Sequence, residues 1–122
     1  MFIISATRMN YNLLQLYGCN VIIVYTTVEK SEQAENIAQI LLTERLVACA
    51  NMWPIHSMYT FNGKLVKSAE IGVYLKTGID RQDAVYNRLV ELHPYECPAI
   101  ITMKIDQAHL PFVHWAHEQT GS

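Results

Sequence analysis

The alternation of apolar and polar positions predicts a run of strands and helices from residue 21 onward. Val21 to Thr27 is an uncharged, largely β-branched stretch, typical of a strand buried on both faces or nearly so. An amphipathic helix follows, and Ser31 is placed to cap it. Its apolar residues recur at the three-four spacing of one helix face: Ala34, Ile37, Ala38, Leu41 and Leu42.

A long β-hairpin is predicted next. The extended stretch from Ala48 to Phe61 is expected to break or bulge at Pro54, since proline disrupts a strand. Asn62-Gly63 is a strong turn signal because both residues tolerate positive φ. The returning strand runs from Lys64 to about Thr77, with one core face and one mixed face.

The last third of the chain predicts a helix, a strand and a helix. Asp80 is placed to cap the first of these helices and Pro94 to stop it. A strand from Ala99 to Ile105 and a short helix from His109 to Gln119 complete the order. This is the split βαβ pattern of an α+β ferredoxin-like sandwich, with an antiparallel sheet and both inner helices on one face. We expect a single domain over residues 20–122, preceded by an arm, residues 1–19, of uncertain structure.

The predicted hairpin is too long for the rest of the fold. Strands of about 13 residues span roughly 40–45 Å, whereas helices of about 14 residues cover roughly 21 Å. The hairpin therefore overhangs the domain while carrying apolar side chains: Met58, Tyr59, Phe61, Leu65 and Val66. Exposed strand edges of this kind pair with other chains, so we expect a homo-oligomer built through the hairpin. A bent, solvated hairpin is the alternative.

Composition narrows the class of protein. The chain has 122 residues, 51% hydrophobic and 16% charged, which excludes a disordered protein. Nine basic and 11 acidic residues leave a net charge of −2, which argues against nucleic-acid binding. No stretch is long and apolar enough for a membrane span, and three cysteines make no disulfide framework. With no convincing signal peptide, we expect a reducing, cytoplasmic location.

Candidate chemistry concentrates in the stretch from His93 to Pro98. Histidine, tyrosine, glutamate and cysteine side chains there suit a soft or borderline metal ion, held in a set geometry by two prolines. A rigid turn in which His93 interacts with the helix C-terminus explains the same residues. Cys49 has two interpretations as well: a small core residue or a thiolate ligand.

Other polar residues carry weaker signals. His114 and His117 share a helix face and suit either a divalent ion or plain surface exposure. Lys76, with Tyr74 and Tyr59 nearby on the paired hairpin, suits an anion pocket or a lysine extended to solvent. The sequence has no glycine-rich phosphate loop and no Ser-His-Asp spacing. We therefore expect no catalytic residues, no enzymatic activity and no organic cofactor.

Several ordered motifs resemble one known family. They are Tyr25-Thr26-Thr27, Ala48-Cys49-Ala50-Asn51 with Pro54, Tyr59-Thr60-Phe61-Asn62-Gly63-Lys64, Leu75-Lys76-Thr77, His93-Pro94-Tyr95-Glu96-Cys97-Pro98 and His114-Trp115. In this order and spacing they resemble the CutA family, the divalent-cation tolerance proteins, over about residues 20–121. The resemblance implies a cytosolic ferredoxin-like homotrimer, similar in architecture to the PII signal-transduction proteins and associated with tolerance to copper and other divalent ions.

Only part of the family's ligand set carries over. In some members of the family, metal binding is assigned to a cysteine on the first strand and to paired histidines before the Pro-Tyr motif. In this chain Tyr25 stands at the position of that cysteine, and Leu92 stands at the position of the first histidine, before His93. Of that set only His93 is present. Phe61 stands where the family usually has tryptophan, and Cys49 matches the family's recurring cysteine.

Our leading hypothesis is a homotrimer that binds copper or another divalent cation, or a small ligand, in clefts between subunits. His93, Glu96 and Cys49 are the expected metal ligands. The expected cleft residues are Tyr59, Lys76, Tyr95 and Trp115. The alternatives are a PII-like regulatory module that binds an anionic metabolite, a structural trimer that anchors another protein, and an acylphosphatase-like hydrolase, for which the loop after the first strand offers only Lys30.

Overall fold

The computed structural model describes residues 20–121; the arm expected over residues 1–19 lies outside the described residues. The strands are β1 (Val21–Val28), β2 (Cys49–Phe61), β3 (Lys64–Gly78) and β4 (Ile100–Lys104). The helices are α1 (Ser31–Thr43), α2 (Gln82–Leu92) and α3 (Leu110–Thr120), with a 3-10 helix, Ile79–Arg81, before α2. The predicted order of elements is confirmed.

The four strands form one sheet in the order β2-β3-β1-β4, and each neighbouring pair is antiparallel. This is the ferredoxin-like topology that the sequence predicts. Helices α1 and α2 cover one face, because their apolar side chains and alternate strand residues form one buried cluster. Its fully buried members are Ile22, Val24, Val28, Ala34, Ile37, Leu41, Val47, Val73, Leu75, Val85 and Leu89.

Helix α3 packs on the opposite face, at the end of the sheet where β3 meets the start of β1. Lys76 Nζ lies 5.8 Å from the centre of the Phe112 ring. Gly78 leaves the room for α3, since a Cβ there would lie 2.9 Å from His117 Cε1. Arg45 donates to the carbonyls of Glu118 and Gln119, at 2.9 and 3.0 Å, and so places a cation at the helix C-terminus.

The β2–β3 hairpin extends past the rest of the sheet, as predicted. Strand β1 pairs with β3 from Ile71 to Gly78, whereas residues 64–70 of β3 pair only with β2. This overhang is about 23 Å long. At its tip Asn62 and Gly63 have φ values of 50° and 73°, the left-handed conformations of a type I′ turn. Large apolar side chains on it are exposed: Met58, Tyr59, Phe61 and Leu65.

Three local predictions are wrong. Strand β2 runs unbroken through Pro54, which pairs with Ile71, because β2 is an edge strand and a proline whose missing N–H faces outward costs no ladder bond. Ser31 is the first residue of α1 and not its cap; the Lys30 N–H before it donates to Gln33 Oε1 at 3.0 Å. Asp80 lies in the 3-10 helix, so it does not cap α2.

Candidate functional site

An open cleft of about 580 Å³ lies where the hairpin leaves the body of the sheet. Strands β1, β2 and β3 each contribute to it, and the loop between α2 and β4 closes one side. The lining residues are Tyr25, Thr27, Ser57, Tyr59, Phe61, Glu70, Tyr95, Glu96, Cys97 and Ala99. Three predicted site residues, Tyr59, Tyr95 and Glu96, are therefore brought together here.

His93 fixes the loop behind this cleft. Its side chain is buried, and Nε2 lies 2.9 Å from both the Thr26 hydroxyl oxygen and the Thr27 carbonyl oxygen. Its Nδ1 accepts the Tyr95 N–H at 3.1 Å. With Nδ1 as an acceptor, Nε2 carries the proton in the neutral imidazole and donates to β1. Both ring nitrogens are engaged, so His93 in this arrangement is a tether and has no free lone pair for a metal.

The electrostatics of His93 agree with that role. Burial lowers the pKa of His93, and the hydrogen bond to Thr27 with the charge of Glu70 opposes that shift only in part. The Thr26 hydroxyl also donates to the carbonyl of Ala99, at 2.6 Å, and so its oxygen is left to accept from His93. The folded protein therefore stabilises the neutral imidazole.

Tyr95 and Glu70 form the central polar pair of the cleft. The Tyr95 hydroxyl donates to Glu70 Oε2 at 2.6 Å. Burial raises the pKa of Tyr95, and the Glu70 carboxylate raises it further. For Glu70, burial acts to raise the pKa, but hydrogen bonds from Tyr95, Ser57 and Thr27 outweigh it and the pKa is lowered. Glu70 is therefore ionised at neutral pH.

The cleft is acidic and aromatic. It carries the carboxylates of Glu70 and Glu96, and none of its lining residues is basic. Tyr25 meets Tyr74 edge to face with ring centres 5.8 Å apart, and Tyr74 meets Trp53 in the same way at 4.8 Å. The first of these contacts holds the Tyr25 ring, which lines the cleft, and the net charge of the lining favours cations over anions.

The structure does not bring the other predicted site residues to this cleft. Cys49 pairs with Lys76, six ladder positions from the pair of Ile55 and Glu70, about 20 Å along the strand. Lys76 lies beside Phe112, and the Trp115 ring lies 5.8 Å from the same ring. Lys76 and Trp115 thus belong to the α3 end of the sheet. Among residues 20–121, no three His, Cys, Asp or Glu side chains cluster closely enough to hold a metal ion.

The sequence alone did not identify Glu70, Ser57 or Thr27 as residues of the candidate site. Their signal is the period-two alternation of the hairpin, which places Glu70 on the same mixed face of β3 as Gly72 and Tyr74. Pairing along the ladder then sets Ile55 opposite Glu70. Nothing local in the sequence marks the partner of that carboxylate.

Comparison with known proteins assigns the family. The sequence model of the family described as CutA1 divalent ion tolerance protein matches residues 22–119. The chain belongs to this family. The predicted function class, a divalent-cation tolerance protein of the CutA family, is confirmed with it.

Relatives match over most of their length. The divalent-cation tolerance protein CutA of Pyrococcus horikoshii is 41% identical over 99 residues, covering 81% of this chain and 97% of that protein. The CutA protein of Thermotoga maritima is 37% identical, over 80% of this chain and 96% of its own length. The match therefore extends over nearly all of these two relatives.

Solved structures share the fold. The divalent ion tolerance protein CutA1 of Ehrlichia chaffeensis has a TM-score of 0.81 at 35% identity, covering 83% of this chain and 95% of its own. A CutA of Archaeoglobus fulgidus, described as a periplasmic divalent cation tolerance protein, has a TM-score of 0.80 at 30% identity, covering 82% and 98%. Within residues 20–121, no helix is long and apolar enough to cross a membrane.

Proposed function

We propose that this chain acts as a homotrimeric divalent-cation tolerance protein and binds a divalent cation in the cleft at the base of its hairpin. The observation that carries the proposal is the charge of the lining: Glu70 and Glu96 contribute carboxylates and no lining residue is basic. An anionic metabolite would meet two like charges there, which disfavours a PII-like use of this cleft. No catalytic step is part of the proposal.

Glu96 is the proposed primary ligand, because its side chain is exposed beside the cleft. Glu70 is the proposed second carboxylate. The Tyr95 hydroxyl already donates to Oε2 of Glu70 at 2.6 Å, and the carboxylate keeps further acceptor sites for a cation. Hydroxyl oxygens and water would complete an oxygen-rich coordination shell. Two carboxylates with hydroxyl and water oxygens need no third His, Cys, Asp or Glu side chain, and residues 20–121 hold no cluster of three.

His93 takes a different part in this proposal from the one that the sequence suggested. Its nitrogens bind β1 and the Tyr95 N–H, so His93 positions the loop that carries Tyr95 and Glu96. Cys49 lies outside the cleft on the first residue of β2. We therefore assign His93 as a positioning residue and leave Cys49 out of the ligand set.

The proposed trimer rests on the overhanging hairpin. Met58 and Leu65 are 64% and 62% exposed, and alternation along the strands puts both on the face opposite Tyr59 and Phe61. An edge strand with exposed apolar side chains is stabilised by pairing with another chain. Burying Met58 and Leu65 between copies leaves the cleft face of the hairpin to the ligand.

A reducing compartment, the cytoplasm, is the proposed location. Cys49 and Cys97 are both free thiols in the part of the chain that the structure describes. Fractionation of cells that express the tagged full chain tests this, and recovery outside the cytoplasmic fraction would contradict it.

Light scattering coupled to size exclusion, followed by titration calorimetry of the same peak with copper and zinc, tests the proposal. We expect a mass near three times the 14.0 kDa chain mass and saturable binding. Glu96→Gln and Glu70→Gln should each weaken binding about tenfold, the scale of one lost close charge. Glu35→Gln, the same change at an exposed position of α1, is the matched control. Binding that both cleft variants leave unchanged would refute the site.

A further inference from the structure

We infer that the same cleft also binds small organic ammonium cations, such as aliphatic amines and diamines, against its aromatic walls. The inference rests on the proposed function in one respect: the carboxylates that would attract a metal ion also supply the charge for an amine. It adds a class of ligand that binds through the aromatic rings of the cleft. Four of the lining residues are aromatic: Tyr25, Tyr59, Phe61 and Tyr95.

The rings are the part of the cleft that a divalent metal ion does not explain. A hydrated metal ion is coordinated by oxygen, nitrogen or sulfur, so phenyl and phenol faces add nothing to its shell. An alkylammonium is attracted to those faces by the ring quadrupole, and its methylene groups bury apolar surface against them. The cleft volume, about 580 Å³, is also in the range of small-molecule sites and far exceeds the space of one ion.

The Glu70 environment suits a cation held at the ring faces. The neutral hydroxyl of Tyr95 donates to its Oε2 at 2.6 Å, and no basic residue lines the cleft beside it. Glu70 therefore keeps a full negative charge at the cleft. Such a charge acts over several ångströms on an ammonium group that contacts the rings and does not need to displace the existing donors.

Tyr59 and Phe61 make this wall accessible. The two residues are 47% and 64% exposed, and both lie on the same face of β2 as Ser57. The Tyr95 ring stands across the loop, where it is held against the His93 ring at 5.0 Å between centres. A ligand between the hairpin and this loop would contact aromatic faces from two directions.

Titration calorimetry of the full chain with 1,4-diaminobutane tests the inference, with 1,4-butanediol as the neutral probe of the same length. We expect saturable binding of the diamine and none of the diol. Tyr59→Leu should weaken diamine binding about fivefold, the scale of one cation–π contact, while Tyr59→Phe should keep it within about twofold. Phe61→Leu, at a second exposed ring, should weaken it as well.

Zinc titration of the same variants separates this inference from the proposed function. Phe61→Leu, which removes a ring that offers no ligand atom, should leave zinc binding unchanged, whereas Glu96→Gln should weaken it. The inference is wrong if the protein binds zinc but no diamine, or if Tyr59→Leu leaves diamine binding intact. Either result leaves the metal proposal unaffected. Diamine binding without zinc binding supports the inference and refutes the metal proposal. Circular dichroism and light scattering confirm that each variant keeps its fold and its mass.

Discussion

The hydroxyl of Tyr95 donates a 2.6 Å hydrogen bond to Glu70, and this contact ties the loop after α2 to the last residue of β3 that pairs with β2 alone. The hairpin and the loop belong to different parts of the chain, 25 positions apart. Because the acceptor is charged, the bond is stronger than one between neutral groups. The cleft therefore keeps its shape through a contact that connects the overhang to the body of the domain.

Removing that hydroxyl should loosen the cleft. Tyr95→Phe takes a donor from a partly buried carboxylate, so the pKa of Glu70 should rise toward its ordinary value. We expect the free energy of unfolding to fall by about 1 kcal/mol, since part of the loss is screened by solvent. Urea unfolding and an NMR titration of the Glu70 carboxyl carbon measure both effects. Tyr86→Phe, at an exposed tyrosine of α2, is the control and should change neither.

Acid should destabilise the protein through His93. The folded state lowers the pKa of His93 below its ordinary value of 6.5, so the unfolded chain binds the proton more readily. Its contribution to stability is complete above about pH 6.5 and is lost as the pH falls through the lower folded pKa, by at most about 1.4 kcal/mol per pH unit. Urea midpoints between pH 8 and pH 5 measure this.

His93→Gln is the control for that pH dependence. Its side-chain amide keeps a donor for the Thr27 carbonyl but takes up no proton in this range. The variant should be less stable than the parent at pH 8, and its free energy of unfolding should depend less on pH below 6.5. If the variant loses as much stability in acid as the parent does, the pH dependence comes from groups other than His93.

Thr26 should matter more than a typical buried threonine. It is fully buried, donates to the Ala99 carbonyl at 2.6 Å and accepts from His93. Thr26→Val keeps the shape but leaves that carbonyl unpaired, and we expect a loss of about 2 kcal/mol in unfolding free energy. Thr43→Val, at the exposed end of α1, should cost less than about 0.5 kcal/mol. Equal losses in urea unfolding would contradict the role of the hydroxyl.

The fold was predictable from the sequence because its signals are local. The β-branched run from Val21, the three-four spacing of α1 and the Asn62-Gly63 turn each act within a few residues. The wrong predictions at Ser31 and Asp80 concern helix ends, where several side chains compete for the same N–H groups.

The candidate site was predictable only in part because its contacts are distant in sequence. Tyr95 and Glu96 stood out as members of a dense polar motif. Glu70 looked like one more polar residue of an alternating strand, and its partner comes from a loop that only the tertiary fold brings near. Lys76 lies on the same face of β3 as Glu70, but it is six residues further along the strand, beside α3. The face of the sheet on which a side chain lies can be deduced from the alternation of residues in the strand. Its distance along the strand from a loop that packs there cannot.

The tip of the hairpin offers a test of backbone conformation alone. Gly63 has a φ of 73°, and no atom lies within 4 Å of where its Cβ would stand. Gly63→Ala should therefore lower the unfolding free energy by about 1 kcal/mol through the left-handed backbone and not through a clash. Asn62→Gly at the neighbouring position should be tolerated. A loss well above this size in urea unfolding would mean that the tip is buried in an assembly.

The apolar face of the hairpin should control self-association. Leu65 is 62% exposed and shares a hairpin face with Met58, so Leu65→Glu places a charge where the proposed trimer buries apolar surface. We expect the mass from light scattering to fall from three chains toward one. Lys64→Glu introduces the same carboxylate one residue away on the opposite face, where Lys64 pairs with Phe61, and should leave the mass unchanged. If both variants keep the parent mass, the hairpin is not the association surface; if both lose it, the effect is one of charge and not of the face.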